Sequence, residues 1–277
     1  MMQASSSGFD AAGIACVRAP NASAYTSGGT NSYLVAGDGG HCLLIDPACP
    51  DPAYLQQLLD VAEPRGGIET ILITHGHPDH NGGAQRVRES TGAPVVASRL
   101  YDGSPVDRRL AEGDVVPLGG RSLRVYETPG HRFDHLCFLL EDAGVLIAGD
   151  LVSGEGTVLI APPEGDLGHY LASLRRMLAL RPALLLPGHG PPETDPAGRL
   201  QAYIDHRLLR EEQVLRTLAA GATTVDDLVD GIYPDLDQSL RRAAALTMQA
   251  HVNKLLDEGR IESSSGGLWI SAATSCE

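Results

Sequence analysis

The chain has 277 residues, 43% of them apolar, which is enough to bury a sizeable core without a disulfide or a structural metal. Acidic residues outnumber basic ones 35 to 21, a net charge of −14, so there is no general attraction for duplex nucleic acid or an anionic membrane. No stretch reaches the roughly 18 apolar residues of a membrane span, and five cysteines, an odd count without a C-x-x-C pair, point to a reducing compartment.

Met1 to Pro20 has no basic stretch followed by an apolar one, so a cytoplasmic protein is expected. Residues 31–47 read as a hairpin of two short strands around Gly37-Asp38-Gly39-Gly40. Residues 52–63 read as a helix with Leu55, Leu58, Leu59 and Val61 apolar. Ile68 to Thr74 is an apolar, β-branched strand that ends in His75-Gly76-His77-Pro78. A helix over 81–91 follows, then strands over 94–98, 123–127, 136–140 and 144–148. An amphipathic helix over 167–180 leads to a strand over 183–186 that ends in Pro187-Gly188-His189-Gly190. Strand and helix signals alternate, so the class is α/β or α+β. Beyond Pro196 the pattern changes to helices over 200–220, 224–231 and 240–259, closed by a hairpin over 260–272. That is the order of a winged helix. The expected domains are a catalytic unit, 1–195, and a winged-helix-like unit, 196–277.

The densest chemical signal is Thr74-His75-Gly76-His77-Pro78-Asp79-His80, with four potential metal ligands in six residues. Their spacing fits neither one helix face nor one strand face. They converge only in a tight loop, which Gly76 and Pro78 favour. Imidazole with carboxylate suits zinc, iron or manganese, whereas calcium and magnesium prefer oxygen alone. His131 in Thr128-Pro129-Gly130-His131, Asp150 in Ala148-Gly149-Asp150, and His189 each follow a predicted strand. A single histidine or aspartate so placed is ordinarily a loop residue. Their shared place at strand ends argues for one site.

Asp46, the H-x-H-x-D-H run, His131, Asp150 and His189, in that order, resemble the five signature motifs of the metallo-β-lactamase superfamily. The resemblance implies a four-layer αββα sandwich of the α+β class. It implies one metal held by His75, His77 and His131, a second held by Asp79, His80 and His189, and Asp150 bridging both. Asp46 would orient the ligands from behind, and Asp79 and Asp46 are the candidate catalytic carboxylates. Two zinc ions per chain are expected, with iron or manganese as alternatives. Cations about 3.5–4 Å apart would share a hydroxide that attacks a carbonyl or phosphoryl centre.

Gly154-Glu155-Gly156-Thr157, Pro187-Gly188-His189-Gly190-Pro191, and Tyr203-Ile204-x-His206-Arg207-x-x-x-Glu211 resemble the β-lactamase-like protein 2 group, as does the helical tail. That group holds a single-strand-specific endoribonuclease and thioesterases acting on acyl carrier protein. The expected activity is therefore a dinuclear zinc hydrolase for a thioester or other small acyl compound, free or carrier-bound. A single-stranded RNA endonuclease and a mononuclear iron persulfide dioxygenase are the alternatives. His135, His169 and Tyr203 are candidate substrate contacts. His41 is expected to be exposed and His251 partly buried, with Arg207 and Arg210 in salt bridges. Residues 196–277 carry eight basic and twelve acidic residues, so the tail is read as packing, lid or homodimer surface and not as a duplex-DNA binder.

Overall fold

The computed structural model describes residues 12–271. Two sheets face each other. The first runs β1 (Ile14–Arg18), β2 (Asn31–Ala36), β3 (Cys42–Ile45), β4 (Ile68–Leu72), β5 (Val95–Ser98) and β6 (Arg108–Leu110) in that spatial order. The second is ordered β11 (Leu184–Pro187), β10 (Val145–Gly149), β9 (Leu136–Leu140), β8 (Arg121–Glu127) and β7 (Val115–Leu118). Strands β1–β3 and β7–β10 pair antiparallel, whereas β3 to β6, and β10 with β11, pair parallel.

Side chains alternate across each strand, and this fills three layers. Tyr33, Leu43, Ile45, Val125, Phe138 and Ile147 meet between the sheets. Leu34, Leu44 and Ile71 point outward onto α1 (Pro52–Ala62) and α3 (Ala84–Thr91), where they meet Tyr54, Leu58 and Val87. Leu146, Ala148 and Leu185 of the second sheet face Tyr170, Leu171, Leu174 and Met177 of α4 (Leu167–Leu180). The expected four-layer αββα sandwich is what forms. The predicted helix over 81–91 is divided: α2 (Pro78–Asn81) and α3 are separate, because the chain bends at Gly82-Gly83 over the Pro47, Ala48 and Cys49 carbonyls. Strands β1, β6 and β7 carry too weak a pattern in sequence to be foreseen.

The tail is α5 (Pro196–Ala219), α6 (Val225–Ile232), α7 (Arg241–Asp257) and a hairpin of β12 (Ile261–Ser264) with β13 (Gly267–Ile270), as expected for a winged helix. Asp195 caps α5 by accepting from the Gly198 amide, and Thr224 and Asp227 form a capping box on α6. The apolar residues of α5 divide between two cores. Leu200, Tyr203 and Ile204 join the α4 layer, while Val214 and Leu218 join Leu228, Met248, Leu255 and Ile261 of the tail. Among the described residues no helix is long and apolar enough to cross a membrane.

Candidate metal centre

All the singled-out ligands, and Asp46 behind them, follow the carboxyl ends of strands that meet at one edge of the sandwich: Asp46 after β3, His75 to His80 after β4, His131 after β8, Asp150 after β10 and His189 after β11. Glycine makes two of these exits possible. Gly149 has φ +48°, and a Cβ there would stand 2.8 Å from His135 Nε2 and 2.9 Å from Thr74. Gly130 has φ +142°, and a Cβ would come within 2.3 Å of Tyr170 Cα. Gly130→Ala should therefore cost more than about 1 kcal/mol, a Tm fall of at least about 2–4 °C, and should displace His131. Calorimetry alongside zinc titration checks both effects.

The potential ligands form two groups, each with ligating atoms within 4.8 Å of one another: His75, His77, His131 and Asp150, and Asp79, His80 and His189. His77 Nδ1 is the hub of the first, 2.9 Å from His75 Nε2 and 2.9 Å from His131 Nε2. One proton cannot satisfy three nitrogens, whereas one cation can accept all three lone pairs. Asp150 lies between the groups. Its Oδ1 is 3.4 Å from both His80 Nε2 and His189 Nε2, and its Oδ2 is 3.6 Å from His131 Nε2. That Oδ1 is buried without a hydrogen-bond partner, a costly condition for a carboxylate oxygen unless a cation meets it. The residues thus fit a pair of metal ions.

The partners behind the ligands fix which nitrogen faces the site. Asp46, 2% exposed, accepts from the Thr74 amide and hydroxyl at 2.7 Å each and from His80 Nδ1 at 2.8 Å. With its proton on Asp46, the Thr74 hydroxyl accepts from His75 Nδ1 at 3.0 Å, which leaves His75 Nε2 with a free lone pair. His131 Nδ1 donates to the Leu159 carbonyl at 2.8 Å, which frees its Nε2 in the same way. Asp46 adopts φ +52°, uncommon for a non-glycine residue and held by these bonds. Asp46→Asn should weaken zinc binding about 10–100-fold without unfolding the chain. Chelator competition measures this, and an unchanged affinity would reduce Asp46 to a turn residue.

Charge is distributed unevenly over the two groups. Burial, then the neighbouring histidines, hold His75 well below the ordinary imidazole range. Burial, then His131 and Arg132, bring His77 to about 4, and burial lowers His131. Burial also opposes charge on His80, but Asp150 and Asp46 outweigh it and His80 stands well above its usual value. His189 is raised to about 9 against its burial by the carboxylates of Asp150 and Asp79, each 3.4 Å from its Nε2. The first group therefore presents neutral imidazoles, the form that ligates metal. The second retains protons where a cation would otherwise balance the carboxylates.

Three other candidates lie elsewhere. His135 is 1% exposed and stands behind the site. Its Nε2 accepts from the Asp150 amide at 3.0 Å and its Nδ1 donates to Thr128 Oγ1 at 2.7 Å. Both nitrogens are committed, and the bond to the amide steadies Asp150. His169 is an exposed residue in the first turn of α4, 2.9 Å from Asp166 and edge-on to Phe133, away from the cleft. Tyr203 is 5% exposed, and its hydroxyl accepts from the Ser153 amide at 2.9 Å, so it supports the cleft rim from behind. Among the described residues the expected salt bridges of Arg207 and Arg210 do not form. Arg207 donates to Thr157 and Val158 and stacks on Tyr170, and Arg210 stacks on Tyr233 at 4.4 Å. His41 is exposed, and His251 is fully buried.

The ligands open onto a cleft of about 760 Å3. His77, Asp79, His131, Asp150 and His189 form its floor. Residues 21–27 of the β1–β2 connection form one wall and residues 153–159 the other. Tyr25 stands 68% exposed at the mouth. Gly154-Glu155-Gly156-Thr157 of the second wall was marked in sequence only by its family resemblance, and the 21–27 wall carried no signal, because loop residues of this kind show no periodicity.

The fold, the strand-end ligands and the matching family model agree. Residues 25–189 match the metallo-beta-lactamase superfamily and 224–269 match the beta-lactamase associated winged helix domain. The chain belongs to the metallo-beta-lactamase superfamily and is a metal-dependent hydrolase of that fold. It is 34% identical over 263 residues to the beta-lactamase-like protein 2 homolog of Drosophila melanogaster, covering 87% of each chain. It is 33% identical over 222 residues to the atrochrysone carboxyl ACP thioesterase of Aspergillus fumigatus, covering 74% of this chain and 68% of that one. A beta-lactamase domain protein from Burkholderia ambifaria shares the fold at TM-score 0.81 and 24% identity, covering 94% and 91% of the two chains.

Proposed function

We propose that the chain hydrolyses a thioester or another small acyl compound, free or carrier-bound, with two zinc ions. The observation that carries this reading is the lining of the cleft. Among the described residues no lysine or arginine lines it, while Asp79, Asp150 and Glu155 do. A phosphate backbone needs cationic contacts, whereas a neutral acyl group does not. Ala24, Val158 and Leu159 give that group an apolar surface, and the ring of Tyr25 stands at its edge. The thioesterase among the relatives supports the same class.

His75, His77 and His131 would hold one ion, Asp79, His80 and His189 the other, and Asp150 would touch both. Such a pair supplies a water acidified to near neutral pH and a Lewis-acid contact for the carbonyl oxygen. The chain's own residues do the rest. Asp46 keeps His75 and His80 in the ligating tautomers, Asp150 is steadied by His135, and Asp79 offers a carboxylate at the cleft surface that accepts a proton from the attacking water.

Duplex-DNA binding is not part of this reading, because the eight basic and twelve acidic residues of 196–277 oppose contact with a phosphate backbone. A cytoplasmic site of action fits the free thiols of Cys16, Cys42, Cys49 and Cys137. The purified protein should be assayed in parallel with an acyl thioester and a fluorogenic single-stranded RNA. Thioester turnover lost on chelation and restored by zinc is the expected result. RNA cleavage without thioester turnover would overturn the substrate class.

A further inference from the structure

The stripe Arg199, Tyr203, Arg207 and Glu211 repeats every four residues along α5, so these side chains lie one above another on one flank of the helix. It is a polar stripe, yet Tyr203 is 5% exposed, Arg207 2% and Glu211 5%. Burying such groups is unfavourable unless each finds a partner. The first three find theirs in one place, the loop of residues 153–159. Arg199 donates to the Gly154 carbonyl and pairs with Glu193 at 2.7 Å. Tyr203 accepts from the Ser153 amide at 2.9 Å and lies 3.2 Å from the Ser153 and Gly156 carbonyls. Arg207 donates to Thr157 Oγ1 at 3.1 Å and to the Val158 carbonyl. Glu211 ends the row, tied to Lys254 of α7 at 2.6 Å and to Arg260 beside the hairpin.

The gripped loop in turn touches one ligand of each group. The Gly154 amide donates to the His189 carbonyl at 2.8 Å and Ser153 Oγ to the same oxygen at 3.3 Å. At its other end the Leu159 carbonyl accepts from His131 Nδ1 at 2.8 Å. The same segment is one wall of the cleft. We infer that Arg199, Tyr203 and Arg207 are positioning residues through which the winged-helix tail holds the 153–159 wall in shape and, through it, seats His131 and His189. The tail is thereby part of the hydrolase site without contacting substrate. The inference rests on the proposed metal centre and not on the identity of the acyl group.

The test uses the full-length zinc-loaded protein with Tyr203→Phe, Arg207→Met and, as a control, Leu200→Ala, which removes apolar packing from the same helix but no bond to the loop. Three quantities are measured: amide exchange over residues 153–159, zinc affinity by chelator competition, and KM and kcat on a thioester. Relative to the control at matched stability, the first two variants should speed exchange in the loop about 5–10-fold, the scale of one lost hydrogen bond. They should weaken zinc about threefold or more, less than the 10–100-fold expected when a residue bonded directly to a ligand is lost, and raise KM more than they lower kcat. Tyr203→Trp, which fills the site without the hydroxyl, should behave like the phenylalanine variant. If loop exchange and zinc affinity follow global stability alike in every variant, the row is only glue between the units and the inference fails. The first two readouts need no substrate, so a failure of the thioesterase reading would show separately, as intact coupling with no thioester turnover.

Discussion

His77→Ala should abolish hydrolysis while leaving the fold in place. The loss in kcat/KM should exceed the 100-fold upper end typical of removing an outer partner, because His77 Nδ1 is the point where His75 and His131 converge at 2.9 Å each. Little packing goes with it. The His77 side chain is 31% exposed, and burial of its neighbours already opposes charge on the first group. The sandwich stands on its three apolar layers, unlike a zinc finger that folds only with its metal. Circular dichroism with a Tm within about 3 °C of the parent, together with lost zinc at the first group, is the expected pair of results. An unfolded variant would give the metal a structural role.

Removing residues 196–277 should have the opposite character, with loss of solubility before loss of chemistry. Truncation removes Leu200, Tyr203 and Ile204 from the core they share with α4 and uncovers the side of α4 that they cover. Each large apolar side chain lost from a core costs about 1.5–3 kcal/mol, a sizeable part of the whole stability of a typical domain. The 153–159 wall loses its three anchors at the same time. Size-exclusion chromatography should find aggregate, and chaotrope-refolded material should have weakened zinc binding. A monodisperse truncated chain with full activity would contradict this account.

Much of the site was legible because metal chemistry constrains residue type as well as position. Four potential ligands in the six residues from His75 to His80 have few bland explanations, and His131, Asp150 and His189 each follow a recognisable strand. The helices and the buried strands β3, β4, β9 and β10 were legible from apolar runs. What stayed hidden is what tertiary contact alone decides. His135 has the residue type of a ligand, but Thr128 and the Asp150 amide occupy both of its nitrogens, and no spacing rule reports that. Tyr203 and Arg207 were singled out, yet their partners lie about fifty residues earlier in loop 153–159. Asn31, which donates to the Pro187 and Gly190 carbonyls on either side of His189, reads in sequence as an ordinary strand-edge residue. Strands β6 and β7 are short and half-exposed, and their alternation is too brief to register.

Reconstitution tests the proposed two-zinc acyl hydrolase most directly. The protein is stripped with a chelator, zinc is returned in sub-stoichiometric steps, and thioester turnover is followed against metal bound per chain. Turnover should rise with zinc and saturate at two equivalents. Saturation at one equivalent, or recovery with iron alone accompanied by oxygen consumption on a persulfide, would contradict it.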